Sequence, residues 1–294
     1  MLSTEGLHLP SSFGSRLQNG FDKHGQLCVG IDAHPSLLEE WALEDTVDGL
    51  RSFSLAVLEA ASDRVAVIKP QVSFFERHGS RGFAVLEELA QEALQSEILV
   101  IMDAKRGDIG STMDGYFDAW LGKTAPFICD ALTVSPYLGL DSLKEVMSES
   151  LERGKGLFVL AATSNPEGRQ VQRAKTGELS VAADIYSSLE AANKVNVEAN
   201  SRIGSFGAVV GATLNLSAFG LGSIQSDASQ LTPILAPGFG AQGAKLADTR
   251  DLFGASAHRV LASVSRSVLS VGPAQIVNAI DSAKAELAAG LSHG

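Results

Sequence analysis

The residue types and spacing of Asp103, Lys105 and Asp108 suit acid–base and electrostatic chemistry. They follow an apolar run, Ile98–Met102, which is typical of a strand buried on both faces. Because side chains alternate along an extended strand, Asp103 and Lys105 should point to the same face. A carboxylate and an ammonium would then emerge side by side at the carboxyl end of the strand, the edge where parallel α/β proteins carry out chemistry.

A plainer interpretation is that these are solvated loop residues, because charged residues commonly follow strands. The Asp-x-Lys pair alone is weak support for catalysis, whereas the full string DAKRGDIGST is much more specific. The choice depends on whether the rest of the chain builds a site around it.

The composition limits the classes of partner. The chain has 294 residues, of which 45% are hydrophobic and 19% charged, an ordinary globular balance. Its formal net charge of −11 argues against a nucleic-acid surface, which needs a basic face. A small anionic ligand held by a few local cations is compatible with this charge.

The sequence predicts neither a metal site nor a membrane segment. Cys28 and Cys129 lie in apolar runs typical of buried thiols, and the histidines lack metal-ligand spacing. No apolar stretch reaches about 18 residues, and residues 1–14 lack the basic and apolar regions of a signal peptide. We therefore expect a cytoplasmic protein.

Strand-like runs alternate with helix-like segments along the chain. The predicted strands are Gln26–Asp32, Val65–Pro70, Ile98–Lys105, Ala131–Pro136, Leu157–Ser164, Phe206–Thr213, Pro233–Gly238 and Arg259–Ser265. The predicted helices are Arg16–His24, Leu37–Ser62, Gly79–Gln95, Ser111–Leu121, Asp141–Arg153, Leu179–Ser201, short helices within Leu214–Leu231 and Gln242–Gly254, and Gly272–Ala289. Asn165–Gly177 is predicted as a polar loop, and Pro273 as a first-turn residue of the last helix.

Eight strand–helix units in this length predict a (β/α)8 TIM barrel of the α/β class. It would form a single catalytic domain over residues 1–294, with a short N-terminal lead-in segment. The alternative is a doubly wound sheet, whose first turn is often rich in glycine. The first turn here, Asp32–Pro35, contains no glycine, which favours the barrel.

A barrel would bring the polar residues at its strand ends to one face. These residues are Asp32, Lys69, Asp103, Lys105, Ser164, Gln242 and Arg266. Lysine and aspartate alternate among them, which suggests a network in which each ammonium lies between carboxylates. Lys69 follows apolar residues, and a lysine shielded from water needs a paired anion. Simple neutralisation of the barrel mouth is the structural alternative.

A second group of residues suits a phosphate. Pro237–Gly243 is glycine-rich and follows the seventh strand, and Ser265–Ser267 follows the eighth, where barrels commonly bind phosphate. Glycines let backbone N–H groups approach an anion, and Arg266 adds a bidentate partner. An ordinary glycine-rich turn with a surface arginine is the alternative.

With these residues, the chain resembles the orotidine 5'-phosphate decarboxylase family, in particular its bacterial type 2 subgroup. The resemblance covers nearly the whole chain and is carried by the segments CVGIDAHP, VIKPQVSFFERHG, IMDAKRGDIGST, LTVSPYLG, LAATSNPEG, VVGAT and LAPGFGAQG. Family members commonly carry glycine before the final arginine, where this chain has Ser265.

The resemblance implies a homodimeric lyase of de novo pyrimidine biosynthesis. The enzyme would remove CO2 from orotidine 5'-monophosphate to give UMP, with no metal or organic cofactor. Electron density left at C6 would be stabilised by prepositioned cations.

The resemblance also implies roles for individual residues. Lys105 would protonate C6, and Asp103 would lie beside the departing carboxylate. The charge network would consist of Lys69, Asp103, Lys105 and Asp108. Asp32, Lys69 and Thr112 would contact the ribose, and Ser164 would bind the edge of the pyrimidine. The phosphate would be held by Gln242 and Arg266, with help from backbone N–H groups near Gly240 and Gln242. Asp108 and Thr112 would enter the site of the neighbouring subunit.

The sequence leaves three other functions open. A phosphosugar lyase would need a divalent metal, which the ammonium of Lys69 would repel. A Schiff-base aldolase would need a neutral lysine, whereas the carboxylates around Lys105 favour the charged form. A non-catalytic phosphate-binding barrel would leave Asp103, Lys105 and Asp108 without a task.

Overall fold

The computed structural model describes residues 11–292, in which eight parallel strands close into a barrel. The strands are β1 Leu27–Ile31, β2 Val67–Pro70, β3 Leu99–Arg106, β4 Ala131–Val134, β5 Gly156–Ala162, β6 Phe206–Val210, β7 Ile234–Pro237 and β8 Val260–Val264. Each strand pairs with its neighbours in the sequence, and β8 pairs with β1 to close the ring. The predicted TIM barrel is confirmed, and the doubly wound sheet was the wrong alternative. The assignment of all 294 residues to one domain stays a prediction.

The strands are largely apolar because both of their faces are buried, and the charged residues of β2 and β3 lie toward the carboxyl ends of these strands. Successive residues of β1 pack into different layers, with Cys28 in the barrel interior and Val29 against the surrounding helices. In the same way, Val67 of β2 points inward and Ile68 outward. This arrangement explains why the strands read as continuous apolar runs rather than alternating patterns.

The lead-in helix α1, Phe13–His24, closes the amino-terminal end of the barrel. Phe13 packs edge-to-face on Phe158 of β5, with 5.9 Å between the ring centroids. A Cβ atom on Gly156 would lie 2.3 Å from Cδ1 of Phe13, so this close contact requires glycine at position 156. The opposite end of the barrel, at the carboxyl ends of the strands, holds a cavity.

Helices surround the barrel. They are α2 Pro35–Glu40, α3 Val47–Ala61, α4 Val72–Glu76, α5 Gly79–Gln95, α6 Gly110–Trp120, α7 Lys144–Glu152, α8 Arg169–Gln172, α9 Val181–Asn196, α10 Ser223–Ser226, α11 Thr249–Phe253, α12 Arg266–Leu269 and α13 Ile276–Ser292. Short 3-10 helices lie at Leu140–Leu143, Pro166–Gly168, Leu216–Phe219, Leu246–Asp248 and Gly254–Arg259. The predicted short helices after β6 and β7 are present.

The predicted single helix Leu37–Ser62 was wrong, because the chain breaks between α2 and α3. Ala42 adopts a left-handed φ of 54°, which ends the first helix. The hydroxyl of Thr46 then accepts the N–H of Gly49 and starts α3. A local cap therefore outweighs the helical pattern on either side.

The last helix also begins later than predicted. α13 starts at Ile276, and Gly272, with a φ of 77°, forms a turn that contains Pro273. The proline therefore precedes the helix instead of occupying its first turn.

Asn165–Gly177 is more ordered than the predicted loop. It contains a 3-10 turn and α8, and Lys175–Thr176 pairs with Leu179–Ser180 in a small antiparallel hairpin. Oε1 of Gln172 accepts the backbone N–H of Thr163, which anchors α8 to the end of β5. This medium-range contact leaves no periodic signal in the sequence.

The predicted lack of a signal peptide concerns residues 1–14, of which 1–10 lie outside the described residues. None of the helices within residues 11–292 combines the length and apolar character that crossing a membrane requires.

Candidate active site

Lys69, Asp103 and Lys105 form one ion cluster at the carboxyl ends of β2 and β3. Nζ of Lys69 donates to Oδ2 of Asp103 at 2.8 Å, and Nζ of Lys105 donates to Oδ1 at 2.5 Å. Lys69 is 7% exposed and Asp103 8%, whereas the side chain of Lys105 is 44% exposed. The cluster therefore combines a buried ion pair with one accessible ammonium.

Electrostatics keep the buried pair charged. Burial alone would raise the pKa of Asp103, but the charges and hydrogen bonds of Lys69 and Lys105 outweigh it and hold this pKa well below its usual range. Burial alone would lower the pKa of Lys69, but the charges of Asp103 and Asp32 outweigh it and hold this pKa above its usual range. Both groups are therefore ionised at neutral pH.

The backbone at Lys105 is not extended. β3 and β4 pair at Met102–Leu132 and again at Arg106–Val134, with a register shift between these two pairs. Within the shift, Lys105 has a left-handed φ of 50°. Its side chain meets Asp103, as predicted, but the meeting results from a bulge and not from regular strand alternation.

The predicted strand-end residues line a common cavity of about 730 Å³. Those that border it are Asp32, Lys69, Asp103, Lys105, Ser164, Gln242 and Arg266. On the side of β7 and β8, the hydroxyl of Ser164 donates to Oε1 of Gln242 at 3.2 Å. The cavity thus has the ion cluster on the β2–β3 side and Gln242 and Arg266 on the β7–β8 side.

Two polar atoms in this region are buried without a hydrogen-bond partner among the described residues. They are Oδ1 of Asp32 and Oγ of Ser265, and both residues border the cavity. Buried polar atoms are normally hydrogen-bonded, so a ligand or ordered water is expected to satisfy them.

Three predicted site residues do not border the cavity. Asp108 accepts the N–H of Ile109 at 2.9 Å, and Thr112 is exposed in the first turn of α6. Gly240 is exposed, and its N–H donates to the carbonyl of Ala244 at 2.8 Å. The phosphate contact expected from backbone N–H groups near Gly240 and Gln242 stays a prediction.

Two polar contacts of the cluster were missed by the sequence reasoning. Oε1 of Gln71 lies 3.4 Å from Nζ of Lys105, and the hydroxyl of Thr133 donates to Oδ1 of Asp103 at 3.0 Å. Gln71 lies two residues beyond Lys69, and Thr133 is the polar residue within the apolar run of β4. A polar residue just beyond Lys69 and a polar residue inside an apolar strand are the sequence features that could have indicated these two contacts.

The possible metal ligands and the two cysteines within residues 11–292 bear on metal and thiol chemistry. No group of three or more His, Cys, Asp and Glu side chains in this range is arranged to hold a metal ion. Cys28 and Cys129 are buried free thiols, as predicted. Burial raises the pKa of the Cys28 thiol to about 12, so it stays protonated and unreactive.

Comparison with known proteins identifies the family of this chain. The family model described as "Orotidine 5'-phosphate decarboxylase / HUMPS family" matches residues 25–279, which include all eight strands. The chain belongs to this family.

Family relatives match most of the chain. The orotidine 5'-phosphate decarboxylase of Streptomyces coelicolor is 56% identical over 263 residues, covering 89% of this chain and 91% of the relative. That of Salinispora tropica is 48% identical over 262 residues, with coverage of 89% and 91%.

Solved structures of the family share the barrel. A structure from Streptomyces avermitilis has a TM-score of 0.89 at 48% identity and covers 100% of both chains. The OMP decarboxylase of Leishmania donovani has a TM-score of 0.74 at 28% identity and covers 96% of this chain and 100% of that one. The fold is thus retained across distant family members.

Proposed function

We propose that the cavity binds orotidine 5'-monophosphate and that the Lys69–Asp103–Lys105 cluster removes its carboxylate. Family membership and the curated relatives make the chain a carboxy-lyase of class EC 4.1.1.23, which produces UMP in pyrimidine biosynthesis. The observation that carries the mechanism is the pair of ammonium groups on one carboxylate, one buried and one accessible.

The reaction needs electrostatic stabilisation. When the bond between C6 and the carboxylate breaks, CO2 leaves and an electron pair remains at a ring carbon that has no adjacent electron sink. Fixed cations stabilise such charge best when they are oriented before the reaction. Asp103 holds Lys105 in this way, and Lys105 is exposed enough to meet the ring and give its proton to C6.

Asp103 has a second part in this mechanism. Its carboxylate is ionised and fixed by Lys69, so a substrate carboxylate placed beside it would be repelled. Loss of CO2 relieves that repulsion.

The remaining cavity residues suit a nucleotide. Arg266 and Gln242, which border the cavity, would supply donors for the phosphate, and Ser164 beside Gln242 would bind the pyrimidine edge. Oδ1 of Asp32, buried and unpartnered among residues 11–292, would accept a ribose hydroxyl beside Lys69. Binding energy from the phosphate would help organise the charged end of the cavity.

Asp108 and Thr112 support a dimeric site. Neither borders the cavity of its own chain, since Asp108 lies between β3 and α6 and Thr112 lies in the first turn of α6. Large apolar residues are exposed in this segment and after β4, with Ile109 60% exposed and Tyr137 79%. A second copy covering this surface would bring Asp108 and Thr112 to the partner's cavity.

Two alternatives lose support from the geometry. A metal-dependent lyase would place a cation near Lys69, whose ammonium is fixed on Asp103. A Schiff-base aldolase needs a neutral lysine, whereas Lys105 is partly exposed and hydrogen-bonded to a carboxylate.

The proposal is tested by incubating the purified chain with orotidine 5'-monophosphate in excess EDTA and measuring UMP. Metal-independent UMP formation is expected. A folded wild-type protein that forms no UMP would contradict the proposal. Activity that appears only with a divalent metal would favour the lyase, and borohydride trapping of a carbonyl substrate would favour the aldolase.

A further inference from the structure

Thr133 occupies a special position in the sheet. Between the paired residues Met102–Leu132 and Arg106–Val134, β4 contributes Thr133 alone, whereas β3 contributes Asp103, Ala104 and Lys105. The bulge therefore places one β4 side chain opposite both charged residues of the cluster.

The hydroxyl of Thr133 bonds to both of these residues. It donates to Oδ1 of Asp103 at 3.0 Å and accepts the backbone N–H of Lys105 at 2.9 Å. Thr133 is 1% exposed, so water does not compete for these bonds. A single side chain thus links the carboxylate of one catalytic candidate to the backbone of the other.

The bond to Lys105 compensates for an unfavourable backbone conformation. A φ of 50° is unfavourable for a residue other than glycine, and the bulge removes the Lys105 N–H from the regular ladder. The Thr133 hydroxyl replaces the lost ladder partner. Without it, the N–H would have to find another partner, and the Lys105 ammonium would move with its backbone.

The bond to Asp103 completes the orientation of the carboxylate. Oδ2 accepts from Lys69, and Oδ1 accepts from both Lys105 and Thr133. Three donors from three strand ends leave the carboxylate little freedom to rotate.

We propose that Thr133 is a positioning residue that fixes the Lys105 backbone and the Asp103 carboxylate in the geometry needed for proton transfer to C6. The inference rests on the proposed function. It concerns the rate of the chemical step and not nucleotide affinity, because both bonds of the hydroxyl go to the charged cluster.

Thr133→Val tests the proposal, because it keeps the shape of the side chain and removes the hydroxyl. We expect kcat for orotidine 5'-monophosphate to fall about 10- to 100-fold, the effect of losing one to two hydrogen bonds of a buried network. The Kd for UMP should stay within about threefold of wild type. Thr133→Ser retains the hydroxyl and should recover most of kcat.

Thr232 offers a matched control at the other end of the barrel. It is also buried, and its hydroxyl accepts from Asn193 at 3.0 Å and donates to Glu190 at 2.8 Å. Like the Thr133 hydroxyl, the Thr232 hydroxyl accepts one hydrogen bond and donates one to a carboxylate. Thr232 precedes β7 and does not border the cavity, so Thr232→Val removes a comparable hydroxyl away from the site. We expect it to lower the unfolding temperature and leave kcat near the wild-type value.

Two outcomes would overturn the inference. One is a Thr133→Val variant with wild-type kcat. The other is a parallel loss of kcat and UMP affinity that Thr133→Ser does not restore, which would indicate a general structural role. Failure of the proposed function is distinguishable, because the wild-type protein itself would then form no UMP.

Discussion

The ammonium of Lys69 lies 2.8 Å from Oδ2 of Asp103, and both side chains are buried beneath the cavity. A buried ion pair contributes little over an apolar pair, but removing one partner leaves an uncompensated charge. Asp103→Asn should therefore lower the free energy of unfolding by about 3–5 kcal/mol. Urea denaturation monitored by circular dichroism measures this change.

The pair between Lys144 and Asp141 provides the control. Both of its side chains are largely exposed, so Asp141→Asn should change the free energy of unfolding by less than about 1 kcal/mol. Equal effects of the two substitutions would contradict a stabilising role for the buried pair.

The contribution of the Lys69–Asp103 pair to the free energy of unfolding should depend on pH in a defined direction. Because the pKa of Asp103 is lower in the folded than in the unfolded state, its contribution to stability is present above about pH 4 and is lost as the pH falls further. Because the pKa of Lys69 is raised, its contribution is complete below about pH 10 and is lost as the pH rises through the folded value.

The difference in unfolding free energy between wild type and Asp103→Asn should therefore stay constant from about pH 5 to pH 9 and shrink below about pH 4. Urea titrations across this range measure it. A difference that already shrinks between pH 7 and pH 5 would show that the pKa of Asp103 is raised instead.

Arg266 should act on substrate binding. Arg266→Ala removes the proposed phosphate donor at the edge of the cavity and should lower kcat/KM about 100-fold, mainly through KM. Arg250→Ala is the control, because this arginine bonds the carbonyl of Leu291 and does not border the cavity. An unchanged KM in Arg266→Ala would place the phosphate elsewhere.

Mixing two inactive variants tests the shared site. In a mixed dimer of Lys105→Ala and Asp108→Ala, one of the two sites regains its own Lys105 and the partner's Asp108. Random mixing in equal amounts should then restore about one quarter of wild-type activity. No recovery after proven subunit exchange would show that Asp108 acts within its own chain.

The barrel was predictable because each of its strands carries its own signal. A strand buried on both faces needs a continuous apolar run, and segments such as Val65–Ile68 satisfy that need locally. Polar residues directly after such runs, among them Lys69, then identified the rim of the cavity. The break between α2 and α3 was harder to predict, because the Thr46 cap competes with a helical pattern on both sides.

The details of the site depended on contacts that sequence periodicity does not encode. The bulge at Lys105 and its bond to Thr133 arise from the pairing of two distant strands. The hydrogen bond from the Gly240 N–H to the carbonyl of Ala244 depends on the path of the loop that joins them. Whether Asp108 acts in a neighbouring cavity depends on a second chain.

The most direct test of the mechanism is a single-turnover measurement of UMP formation by wild type and Lys105→Ala in the presence of EDTA. Lys144→Ala, which removes an exposed lysine, is the control. If Lys105 both stabilises the developing charge and protonates C6, its removal should slow the reaction about 10⁴-fold or more while UMP still binds. A Lys105→Ala protein that decarboxylates within about tenfold of the wild-type rate would contradict the assignment of Lys105 as the proton donor.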